Sequence, residues 1–280
     1  MYEGENPGQL VHFFSDTLHC SSTGAAIEIH GKGAFSHRIS AFLFSKLTQI
    51  GIPNHFLNTR NMRESLVHDT YALPFTLRIH SCSSVDLSKD FDIPENTIFD
   101  PPLVEYITPS SKYHVNDDFL MAMGWLDQDE VDEVHALALR TTHGLQGLFA
   151  AWDLALIQLE LTFARSFENP FVVAGSLAPE HFLVKDLRTG NTWNMTPNAG
   201  SEENPLAAYS LLARRFGVYT ATPSEGPSGC DDIHSENSTE NSTENSTSEV
   251  PINGPATLPS AEQNWPKNVL LFPTEPRFVL

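Results

Sequence analysis

Residues 155–166 read ALIQLELTFARS and alternate without interruption from Ile157 to Phe163. Successive side chains of a strand point to opposite faces. Ile157, Leu159, Leu161 and Phe163 therefore share one face, and Gln158, Glu160 and Thr162 share the other. The apolar face must cover a core, and the polar face looks either at solvent or at a ligand. Residues 170–177, PFVVAGSL, read as the antiparallel neighbour of this strand.

Other elements are placed by the same periodicities. QLVHFF (9–14), GAAIEIH (24–30), ALPFTLRIH (72–80) and DPPLVEYI (100–107) read as strands, the last entered through a proline pair. Ile39, Phe42, Leu43, Leu47 and Ile50 recur at helical spacing, with Ser36 as the expected N-cap and Gly51 as the stop. The longest helix is expected over 127–152, where Gly144 and Gly147 imply either a break or close packing. A last helix starts at Asn204-Pro205, turns Leu206, Tyr209, Leu212 and Ala213 inward, and stops at Gly217.

The formal net charge of -19 excludes a general nucleic-acid binder, which needs an excess of Lys and Arg. Cys20, Cys82 and Cys230 are widely spaced and form no CxxC pair, as expected of inert thiols in a reducing compartment. The 12 His residues include no HxH or HxxxH pair, which speaks against zinc. No leader pattern opens the sequence and no apolar run approaches the ~18 residues of a membrane span. The expected address is the cytoplasm. Three ENST repeats over 236–247 can bury nothing, so 223–263 is expected to be a disordered low-complexity segment. The apolar segment 264–280 follows it and is expected to dock on the body of the protein, with docking onto a partner as the alternative.

GKGAFSHRISAFLFSKLTQIGIPNHF (31–56) resembles the signature segment of the phosphoribosylaminoimidazole-succinocarboxamide synthase (SAICAR synthetase) family. ESLVHD at 64, LRIHSCSS at 77, VNDDFLMAMGW at 115, ALIQLELTF, VVAGSLAPE and AAYSLLARRFG follow in the family's order and spacing, over about residues 1–220. The resemblance implies an α+β fold with two antiparallel-sheet subdomains, 1–66 and 67–222, and helices packed around a nucleotide cleft. It also implies an enzyme that joins aspartate to a carboxyaminoimidazole ribotide using ATP and Mg2+, and so a role in purine nucleotide biosynthesis. That chemistry needs cations for the phosphates and carboxylates for the metal.

Carried over position by position, the implied site is degenerate. The family's Asp, Lys and Glu on the alternating strand fall at Gln158, Glu160 and Thr162. Its Asp-Glu pair falls at Gly175 and Ser176, its phosphate-holding Arg at Leu183, and its substrate-side Asp at Lys112. Where the family opens with a Tyr-x-Gly-Lys-x-Lys strand and turn, Met1-Tyr2-Glu3-Gly4 runs straight into Glu5-Asn6-Pro7, so the resemblance implies that both lysines are deleted. No catalytic or metal residue is identified. Arg78, Ser84 and Lys32 remain as substrate-binding candidates, with Arg78 and Ser84 at positions that contact the ribotide.

Two readings stay open. In one, the chain is a catalytically silent paralogue that acts by binding a purine-pathway ribotide or nucleotide, or a complete synthetase. In the other, it is an active synthase or related ATP-dependent amide ligase with a rearranged metal site.

Overall fold

A computed structural model of the chain describes residues 1–19, 26–108, 114–193 and 205–218. Lys112, Asn204, Cys20, Cys230, the ENST repeats and the apolar segment 264–280 lie outside the described residues. A unit boundary falls between Ser224 and Glu225, so every described residue belongs to the first unit.

The elements run β1 (Tyr2–Glu3), β2 (Gln9–Phe13), β3 (Thr17–His19), β4 (Ala26–Glu28), α1 (Lys32–Gln49), β5 (Phe56–Thr59) and β6 (Glu64–His68). They continue with β7 (Tyr71–Cys82), α2 (Val85–Phe91), β8 (Ile98–Ile107), α3 (Asp117–Ala122), α4 (Gln128–Ala150), β9 (Leu154–Arg165) and β10 (Val172–Ala174). A 3-10 turn (Pro179–His181), β11 (Phe182–Asp186), β12 (Thr192–Trp193) and α5 (Pro205–Arg215) complete the body. Two antiparallel sheets result, β1-β2-β6-β5 and β12-β11-β9-β7-β8, with β10 also paired to β9 and β3-β4 as a separate ribbon. This is the expected α+β architecture. The chain passes from the first sheet to the second after His68, so β6 extends past residue 66.

Strand β9 behaves as its alternation dictates. Leu159, Leu161 and Phe163 are fully buried, and together with Leu77 and Ile79 of β7 they form the floor on which α4 packs. Gln158, Glu160 and Thr162 are only half-buried on the opposite face. Helix α4 runs unbroken through both glycines, and Asp127 and Glu130 close a capping box at its start. A Cβ on Gly144 would stand 2.6 Å from Ile50 Cδ1, so this glycine serves close packing and not a break.

The expected N-cap of α1 is corrected. The helix begins at Lys32, not after Ser36, because its first turn is held from outside: Gly33 N donates to Asp16 Oδ1 at 2.8 Å, and Arg63 Nη2 fixes the other oxygen of Asp16 at 2.8 Å. Ser36 is freed from capping and lies buried inside the helix. β8 likewise starts two residues before Asp100. It is the edge strand, so Pro101 and Pro102 interrupt no second ladder. No helix among the described residues is long and apolar enough to cross a membrane.

Candidate functional site

The antiparallel register sets Glu105 of β8, Arg78 of β7 and Glu160 of β9 directly opposite one another, in one row across three strands. Directly opposed side chains of adjacent strands lie within reach of each other. Arg78 Nε and Nη2 both donate to Glu160 Oε1, at 3.0 and 2.7 Å, while Nη1 lies 3.9 Å from Glu105 Oε2. Two histidines close the row. His80 Nε2 pairs with Glu105 Oε2 at 2.8 Å, and His181 Nδ1 lies 3.7 Å from Glu160 Oε2. Burial opposes ionisation of Glu160, but the neighbouring His181 and the bonds from Arg78 outweigh it and hold the carboxyl below the ordinary glutamate range.

The rows on either side carry no carboxylate. Thr76 and Thr162 place their hydroxyls 3.4 Å apart, and Gln158 lies between His80 and Leu183. Gly175, on the turn after β10, has φ +72°, and a Cβ built there would meet Thr162 Cβ at 3.2 Å and Oγ1 at 3.3 Å. Ser176 turns its hydroxyl onto the backbone, accepting from Ala178 N at 3.1 Å at the entry to the 3-10 turn.

Lys32 belongs to a second, buried network. Its Nζ lies 2.7 Å from Glu180 Oε1 and donates to Thr17 O at 3.0 Å. The other Glu180 oxygen accepts from Tyr209 OH at 3.0 Å and from Ser36 Oγ at 3.4 Å. Burial opposes ionisation of Glu180, but the Lys32 charge beside it holds its carboxyl low. Burial, then the Glu180 charge, drives the Tyr209 hydroxyl up, so it stays a donor. Lys32 is therefore neither a surface turn nor an open anion contact. Ser84 is the N-cap of the seven-residue α2 and accepts from Leu87 N at 3.3 Å.

The candidates thus divide. Arg78, Gln158, Glu160, Thr162 and Gly175 meet on the polar face of β7–β9, Lys32 faces the network on Glu180, and Ser84 closes a separate helix. Glu105, His80, His181 and Glu180 were missed by sequence reasoning. Glu105 follows from the period of two in β8, but its pairing with Arg78 depends on strand register, which no local pattern specifies.

This donor set does not fit a magnesium nucleotide. Mg2+ takes hard oxygen ligands in near-octahedral geometry, and the row offers two carboxylates on opposite sides of a guanidinium, Glu160 held by Arg78 and Glu105 paired with His80. Among the described residues no group of three or more His, Cys, Asp or Glu is placed to hold a metal ion. The surroundings are anionic too. A hollow of about 700 Å3 at the β8 edge is walled by Glu105, Asp117 and Asp118, with no Lys or Arg among its described lining residues.

Comparison with known proteins gives a consistent result. The sequence pattern of the family described as SAICAR synthetase matches residues 1–182. The phosphoribosylaminoimidazole-succinocarboxamide synthase of Hyphomonas neptunium is 31% identical over 233 residues, covering 80% of this chain and 90% of that protein. The enzyme of the same name from Parvibaculum lavamentivorans is 31% identical over 224 residues, covering 78% and 88%. In fold, the chain resembles the crystal structure of the synthase from Ehrlichia chaffeensis, with TM-score 0.72 and 24% identity over 79% of this chain and 95% of that one. It also resembles SAICAR synthetase from Pyrococcus horikoshii, with TM-score 0.71 and 18% identity over 78% and 97%.

Proposed function

The chain belongs to the SAICAR synthetase family, and we propose that it serves purine nucleotide biosynthesis by binding and not by ligation. The observation that carries this reading is the row Glu105–Arg78–Glu160. Where the resemblance implies a lysine flanked by two carboxylates, Glu160 stands between an amide and a hydroxyl, with its own charge spent on Arg78. Activating a carboxylate by phosphoryl transfer leans on metal and cations to neutralise the charge that develops, and each such group typically contributes orders of magnitude in rate. Of the partners that the resemblance offers, a complete synthetase fits this row better than a purine-pathway ribotide or nucleotide, because the Arg78 edge already holds a carboxylate. A cytoplasmic address is part of the same proposal.

A second reading has one observation in its favour. The relatives that carry the synthase name match along most of their length, which favours a retained ligase with its metal held by other residues. The two readings differ in magnesium. Ligand that binds only the folded state raises the melting temperature. Binding without ligation predicts no magnesium-dependent rise with ATP, whereas a rise that appears with Mg2+ and vanishes with chelator favours the ligase.

A further inference from the structure

We propose that Glu160 is an internal anion that occupies the phosphate-binding fork of Arg78 and excludes phosphorylated ligands from the cleft face. This rests on the reading above and names the class of ligand that the resting site refuses.

Arginine recognises phosphate and carboxylate through parallel N–H groups on one edge of its planar fork. In this chain that edge, Nε and Nη2, is spent on a single oxygen of Glu160, and the remaining Nη1 lies nearest Glu105. The contact is built into the sheet, since Arg78 is in register with Glu160 on one side and with Glu105 on the other. His181 Nδ1 stands 3.7 Å from the second Glu160 oxygen. The other cation candidate, Lys32, is matched in the same way by Glu180. Both therefore already face a carboxylate of this chain. An incoming phosphate would have to displace Glu160 and would then sit between two glutamates. Like charges so juxtaposed oppose binding, while a neutral residue at 160 would leave the guanidinium edge open. Arg78 keeps over a third of its side-chain surface accessible, so a freed fork can be reached from solvent.

Titration calorimetry with ribose 5-phosphate, and with inorganic phosphate as a second probe, tests this in the full chain. The parent should show no saturable binding at millimolar probe. Glu160→Gln should bind ribose 5-phosphate at least about tenfold more tightly than the parent, because one full charge leaves the fork. Adding Arg78→Ala to Glu160→Gln should remove the gain. Glu105→Gln, which removes the carboxylate that lies only 3.9 Å from the guanidinium and is otherwise paired with His80, should gain less than Glu160→Gln. If Glu160→Gln loses its cooperative melting, Glu160→Ala takes its place. Parent binding equal to that of the variant, no gain in the variant, or a gain that survives Arg78→Ala overturns the proposal. None of these outcomes depends on ligase turnover, so the proposal and the wider reading fail separately.

Discussion

Gly175 shows at the scale of one residue how far the cleft has moved from the arrangement that the resemblance implies. Its φ of +72° and the Thr162 side chain beneath it both disfavour a Cβ, which would require Thr162 to give by a few tenths of an ångström. Left-handed backbone costs a non-glycine residue about 1–2 kcal/mol, and the contact with Thr162 adds to that. Gly175→Asp, which would restore a carboxylate, should therefore lower stability by roughly 1–3 kcal/mol in urea unfolding. Thr162→Ala in the same chain should return part of the loss. An Asp variant as stable as the parent would show that the turn relaxes freely and that the two positions are not coupled. Some of this was legible beforehand. The face carrying Gln158, Glu160 and Thr162 follows from period-two alternation alone. The capture of Arg78 by Glu160 does not, because residues 82 positions apart in sequence meet only through register.

At the scale of elements, the junction between the end of α1 and β10 depends on neutral imidazoles. His55 N donates to Val173 O at 3.0 Å, and its ring packs on Phe44 and near His12. Burial is the main cause that depresses the pKa of His55 and of His12 to about 4. An unfolded histidine titrates near 6.5, so between about pH 6.5 and 4 the unfolded chain binds protons that the folded chain refuses. Stability contributed by these groups is whole above that window and is lost as pH falls through it. By about pH 5 each imidazole should cost on the order of 2 kcal/mol relative to neutral pH. The carboxylates held low, such as Glu160 and Glu180, lose their contribution only as pH falls through the ordinary glutamate range, below about pH 5. Urea unfolding near neutral pH and at about pH 5 isolates the imidazoles, and His55→Gln should shallow the fall. An identical fall in that variant would remove His55 from the account. Element positions were largely legible from periodicity, as β2, β7, β9 and α4 show. The start of α1 was not, because its cap is Asp16, brought in from the segment before β3 and invisible to a local capping rule.

At the scale of the whole molecule, the order and spacing of segments over residues 1–220 announced the family. The matched pattern and the two-sheet body agree with that. What the order could not convey is whether the cations of the site are available. Arg78 and Lys32 look free in sequence, yet each is neutralised by a glutamate that folding brings to it. Under the proposed reading, that pairing and a net charge of -19 together disfavour the gathering of triphosphate and metal at this face. The most direct measurement is ADP release by pure protein free of host synthetase, supplied with carboxyaminoimidazole ribotide, aspartate, ATP and Mg2+. The account predicts no release above background, or a rate at least about a thousandfold below that of a complete synthetase assayed alongside. Steady release that requires both ribotide and aspartate would contradict it and return the chain to the working ligases.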